Sequence, residues 1–112
     1  MIARIWSARA AAERAPAYAD HLRSHVFPVL RAVEGYAGAV LLQRTASPGV
    51  EIVVVTWWRS LDAIRAFAGA DVDAAVVADE AASLLSQFDQ RARHYTVVMQ
   101  DGVAPGSQGD PA

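Results

Sequence analysis

The spacing of apolar residues changes several times along the chain, and each change predicts an element. In Ile2 to Ala8, alternation puts Ile2, Arg4 and Trp6 on one face and Ala3, Ile5 and Ser7 on the other, which predicts a first strand. From about Glu13 to Val33 the spacing becomes helical. Tyr18, Leu22, Val26, Val29, Leu30 and Val33 recur at steps of three and four and fall within an arc of roughly 120° at about 100° per residue. Pro16 suits the first turn of this helix, whereas Pro28 removes a backbone donor and crowds the carbonyl of Ser24, so a kink or break is expected there. Gly35 then opens a second strand, Tyr36 to Thr45, and Ser47-Pro48-Gly49 has the residue order of a type II turn. A valine-rich third strand, Glu51 to Trp58, completes a hairpin.

Ser60 is placed to cap a helix with Asp62 in its first turn, Leu61, Ile64 and Phe67 on its apolar face, and Gly69 at its end. Asp71 can cap a further helical stretch burying Val72, Ala75 and Val76, and residues 79–88 read as another turn or two of helix. His94 to Gln100 reads as a last strand. From Asp101 onward Gly, Pro, Ser and Gln occur without period, so residues 1–100 are expected to form one domain and residues 101–112 a flexible tail. The order β-α-β-β-α-β predicts an α+β, ferredoxin-like fold: a four-stranded antiparallel sheet with its helices on one face. The other face has no covering element in the chain and carries apolar residues, so a second copy of the chain is its expected cover.

Composition sharpens this picture. Of 112 residues, 54% are hydrophobic and 20% charged, which is apolar for a domain too small to bury a large core. A net charge of -2 and a pI near 5.8 argue against a nucleic-acid partner. The absence of cysteine excludes disulfides, thiolate nucleophiles and Cys-type zinc sites, and suits a reducing compartment. The N-terminus does not read as a signal peptide and no apolar run approaches a membrane span, so a cytoplasmic location is expected.

The candidate chemistry is sparse. Trp57 and Trp58 are adjacent on a strand and point to opposite faces, so at most one can join Trp6 in walling a pocket for a planar ligand. His21 and His25 stand one helical turn apart, but neither an HExxH motif nor a third ligand accompanies them, and no metal site is expected. On the helical wheel His25 lies near the apolar stripe and His21 further toward solvent. His94 opens the last strand and has the titration range of a base, and Arg4 could bind an enolate or carboxylate from inside a cavity. Asp71, Asp73, Asp79, Glu80 and Asp89 read as caps and solvated positions.

The opening strand IARIW, the junction TWWRSLDAIRAFAG and the closing RHYTVV together resemble the antibiotic biosynthesis monooxygenase family of dimeric α+β barrel proteins, over roughly residues 1–100. The resemblance implies a homodimer with a cavity between sheet and helices in each protomer. It implies a cofactor-independent monooxygenase acting on a small phenol- or quinol-like substrate. Transferred to this chain, that chemistry would use His25 or His94 as base and Arg4 to stabilise the anion, with Trp6, Trp57 or Trp58, Tyr18 and His21 holding the substrate. The haem-degrading branch would carry a tryptophan and then a ligand histidine where this chain reads Ala70 to Val77, so no haem and no other cofactor is expected. A non-catalytic small-molecule-binding dimer would use the same pocket.

Overall fold

A computed structural model describes residues 1–102; the expected tail, residues 101–112, falls almost wholly outside the described residues. Five strands form one antiparallel sheet: β1 (Ile2–Ala10), β2 (Tyr36–Ala46), β3 (Gly49–Trp58), β4 (Gln87–Phe88) and β5 (Arg93–Thr96). The order is β2-β3-β1, and the fourth position beside β1 is shared by β4 and β5. Helices α1 (Ala15–His21), α2 (Phe27–Arg31), α3 (Leu61–Ala68) and α4 (Asp79–Leu84) contribute to the apolar core on one face of that sheet. This is the expected ferredoxin-like arrangement, with its last strand split in two.

The register of β1 on β3 runs from Ile2↔Trp58 to Ala10↔Val50. It brings Arg4, Trp6, Ala8, Ile52, Val54, Thr56 and Trp58 to the helix side. Two clusters fill that side. One gathers Tyr18, Leu22 and Ile52; the other gathers Leu30, Trp58 and Ile64. On the opposite face lie Ile5, Val40, Val53, Val55, Trp57 and the exposed Leu42, an apolar field that no element of the described chain covers.

Two glycines are set by close approach. Gly35 has φ +95°, and a Cβ there would sit 2.5 Å from the Cβ of Ala63, so the loop and α3 meet only across a bare backbone. A Cβ on Gly49 would lie 2.4 Å from the carbonyl oxygen of Ala10. The hairpin turn differs from expectation. Ala46 pairs with Gly49 and the Ser47–Pro48 bond is cis, so proline takes the third position of a type VI turn rather than the second of a type II turn.

The first helix is not broken at Pro28. A π turn, Leu22–Val26, joins α1 to α2, and the amide of Phe27 donates to the carbonyl of Leu22. Widening the helix just before the proline moves the Ser24 carbonyl away from the pyrrolidine ring without ending the helix. The wider turn also shifts the phase of α2. Val29, expected in the core, is 61% exposed, while Leu30 is buried.

Residues 71–78 do not form the expected helix. Ala74 bridges to Arg91, the amide of Ala75 donates to Gln90, and Arg4 takes the carbonyls of Val72 and Ala74 that a helix would use internally. Val76, expected to be buried, is 51% exposed. In α3, Ser60 accepts from the amide of Ala63 and Gly69 ends the helix at φ +92°, as expected, but Leu61 lies outside the buried stripe. Helix α4 stops at Leu84 rather than near Phe88, because the edge of β1 captures the next residues: Ser86 donates to Arg9 and Asp89 to Ser7. Strand β5 ends at Thr96 rather than Gln100, since Val97 already donates to Met1 and β1 offers nothing further.

Candidate functional site

Between α1, the π turn and the helix side of the sheet lies a half-open, mainly apolar cavity of about 80 Å³. Its floor is Trp6, Val54 and Thr56 from the sheet, and its helical wall includes Tyr18, His21, Leu22 and Phe27. Phe67 closes one end, and Arg4 stands beside it with its guanidinium carbon 5.7 Å from the ring centroid. The last wall is a strap, residues 75–78, with Ala81 behind it.

Each polar group reaches this cavity for a local reason. Trp6 points inward by strand alternation, donates its indole N–H to the carbonyl of Asp89 at 2.8 Å, and offers its ring to Tyr18 and Phe88 at centroid distances of 6.4 and 6.2 Å. The Thr56 hydroxyl accepts from Trp58 Nε1 at 2.8 Å, which leaves its own proton free to donate. Tyr18 is buried, and burial pushes its phenol well above the usual range, so it stays neutral. His21 stacks on Tyr18 at 6.4 Å, and its Nε2 is buried without a hydrogen-bond partner. An orphan of this kind costs about 1–3 kcal/mol, a cost that a ligand hydroxyl would remove.

Arg4 is only 5% exposed. Its Nη1 donates to the carbonyl of Val72 at 2.5 Å and to His94 Nε2 at 2.8 Å, and its Nη2 donates to the carbonyl of Ala74 at 2.7 Å. Because arginine can only donate, His94 Nε2 must accept, and the imidazole proton sits on Nδ1. That proton goes to Asp73 Oδ1 at 2.9 Å. The result is a chain, Asp73–His94–Arg4, in which both ring nitrogens of His94 are engaged. Burial lowers the pKa of Arg4, and the charge of Asp73 opposes that shift.

The sequence-predicted residues therefore divide. Arg4, Trp6, Tyr18 and His21 line one cavity. His94 touches it only through Arg4. His25 is exposed and lies with Asp20 and Glu80 along a shallow surface depression, its ring 5.6 Å from that of His21. The expected order of the two helix histidines is thus reversed. Through the wider turn, Val26 takes the inward place after Leu22 and His25 swings out, while His21, ahead of the π turn, keeps the face of Tyr18. Neither tryptophan of the pair lines the cavity. Trp57 faces the outer sheet surface, and Trp58, fully buried, packs behind the wall against Phe67 at 5.7 Å and Tyr36 at 5.4 Å.

Sequence reasoning missed Thr56, Phe67 and Asp73 as parts of this site. Thr56 was legible as a hydroxyl at an inward position between Val54 and Trp58. Asp73 carried no signal, since its partner is twenty-one residues away. Among the described residues no cluster of His, Cys, Asp or Glu could hold a metal ion, and no helix is long and apolar enough to cross a membrane.

Several solved structures share this fold. A Bacillus cereus protein assigned to the antibiotic biosynthesis monooxygenases superposes with a TM-score of 0.66 at 14% identity, covering 93% of this chain and 97% of that one. The heme-degrader MhuD from Mycobacterium tuberculosis, solved with two hemes bound in its active site, gives 0.59 at 21% identity, covering 91% and 100%. The monooxygenase from the gene ActVA-Orf6 of Streptomyces coelicolor, in complex with nanaomycin D, gives 0.54 at 16% identity, covering 93% and 91%. No curated protein matches the chain. These likenesses define a ferredoxin-like α+β fold. The profile of the antibiotic biosynthesis monooxygenase family matches residues 1–79, and the chain belongs to that family.

Proposed function

We propose that this chain is a cofactor-independent monooxygenase of a small phenol- or quinol-like aromatic molecule, working as a cytoplasmic homodimer. The observation that carries this reading is the buried, unpartnered Nε2 of His21, a residue that lines an apolar, aromatic-walled cavity together with Arg4. A bound phenol would hand its proton to His21. Trp6 and Tyr18 would hold the ring, and the positive end of the cavity at Arg4 would favour the anion. The electron-rich phenolate then reduces dioxygen directly. One oxygen atom becomes a ring carbonyl, the phenolic proton and a ring C–H proton leave with the other as water, and all four electrons come from the substrate.

This assigns the base to His21 in place of the expected His25 or His94. His25 is exposed, and both nitrogens of His94 are occupied by Arg4 and Asp73. At about 80 Å³ the cavity is smaller than the roughly 150 Å³ that takes up benzene, so entry of a ring requires the strap to move outward by about a side chain's width. Haem, a macrocycle of four pyrrole rings, exceeds that volume several-fold. The apolar outer face of the sheet supports the homodimer, since a second copy would remove it from water.

Oxygen uptake with a panel of quinols, naphthols and anthrones tests the activity. Uptake with at least one of them is expected, reduced at least a hundredfold by His21→Phe and little changed by His25→Ala. Thermal stabilisation by these compounds with no uptake from any would replace the enzyme by a binding or accessory dimer.

A further inference from the structure

Arg4 carries five N–H donors in a planar fork. Three are used: both on Nη1, toward Val72 and His94, and one on Nη2, toward Ala74. Nη1 is thereby fully engaged, and Nη2 half engaged. The Nε–H and the second Nη2–H remain, and among the described residues neither makes a hydrogen bond. Nε and Nη2 share one edge of the guanidinium, the edge that matches the two oxygens of a carboxylate.

The charge is also incompletely answered. Arg4 is buried, and among the described residues no carboxylate forms an ion pair with it. The nearest negative charge in the chain of contacts, Asp73, is half-exposed, is reached only through His94, and is shared with Arg91. A buried cation without a direct counter-charge, facing an otherwise apolar cavity, is stabilised by an anion brought in from outside. A phosphate or other strongly hydrated dianion would lose too much hydration among Trp6, Val54, Leu22 and Phe67. An aromatic carboxylate puts its single charge on the fork and its ring on those side chains.

We propose that the natural ligand of this cavity is an aromatic carboxylic acid, bound as its carboxylate by the Nε–Nη2 edge of Arg4. The proposal rests on the monooxygenase reading of the cavity and narrows its substrate to a phenolic acid, with the carboxylate at the Arg4 end and the hydroxyl toward His21. His94 and Asp73 are positioning residues. They hold Nη1 of the guanidinium so that the Nε–Nη2 edge is presented in a fixed orientation.

Titration calorimetry of the full chain with 2-naphthoate, its methyl ester and 2-naphthol tests the proposal without depending on turnover. The acid is expected to bind at least tenfold more tightly than either neutral probe. Arg4→Met is expected to erase that preference, and Arg4→Lys to keep part of it, because the charge survives and the fork does not. Equal affinity for acid and ester, tighter binding of naphthol, or no binding of the acid by the wild-type chain overturns the proposal, and none of these needs a variant that folds. Undiminished binding of the acid by folded Arg4→Met overturns it as well. Oxygen uptake from phenols with no preference for acids would remove this inference and leave the monooxygenase reading. Tight, Arg4-dependent binding of the acid with no uptake from any phenol would do the reverse.

Discussion

Replacing His94 by leucine tests whether the Asp73–His94–Arg4 chain holds the site together. Leucine keeps most of the volume and removes both ring nitrogens. The buried guanidinium then loses its 2.8 Å acceptor, a hydrogen bond from a charged donor worth about 1.5–3 kcal/mol. The contact to Asp73 is weaker, because that carboxylate is half-exposed, and about 0.5–1 kcal/mol is reasonable after allowing for solvent. Together these predict a loss of about 2–4 kcal/mol, or roughly 8–16 °C in melting temperature for a domain of this length. Urea unfolding followed by tryptophan fluorescence, at one protomer concentration, measures it. A double-mutant cycle with Asp73→Asn adds the decisive number. If the two residues act as one chain, the combined loss should fall short of the sum of the single losses by about 1 kcal/mol. A loss below about 0.5 kcal/mol for His94→Leu, or strict additivity in the cycle, would refute the idea that Asp73 acts on Arg4 through His94.

Burial makes two further outcomes testable. Tyr18 has its phenol raised by desolvation, so the stability it contributes by staying neutral is complete below the ordinary phenol range near about pH 10 and is lost as pH rises beyond it. Urea midpoints of the wild type should therefore fall more steeply than those of Tyr18→Phe on going from about pH 9 to about pH 11; parallel curves would contradict a buried, neutral Tyr18. On the outer sheet face, Val53→Asp or Leu42→Asp places a charge in the middle of the apolar field. Light scattering after size exclusion should give a dimer for the wild type and a monomer for either variant, and a wild-type monomer at micromolar concentration would leave that face without its proposed cover.

The strands were legible because strand alternation is local. Arg4 and Trp6 could be put on one face from neighbours alone, Trp57 and Trp58 on opposite faces without saying which was which, and the order of elements then left few topologies. The helical side was legible only until the phase changed. The π turn before Pro28 is a compromise between one proline ring and one carbonyl, and it carries no period of its own. Two assignments that depended on a constant angle per residue failed there, since Val29 and His25 both turned out, while Leu30 stayed in the core; ahead of the turn, His21 proved to be the cavity histidine. The strap failed for a different reason. Asp71, Val72 and Ala75 have helical spacing, but the carbonyls of Val72 and Ala74 are claimed by an arginine some seventy residues earlier in the chain. Helix propensity there is worth a few tenths of a kcal/mol per residue, whereas two charge-assisted hydrogen bonds from a buried guanidinium are worth about 1.5–3 kcal/mol each. Arg4 therefore decides the local structure of the strap as well as the charge of the cavity. For the same reason, whatever draws on its remaining edge will be felt in the wall that a ligand has to pass.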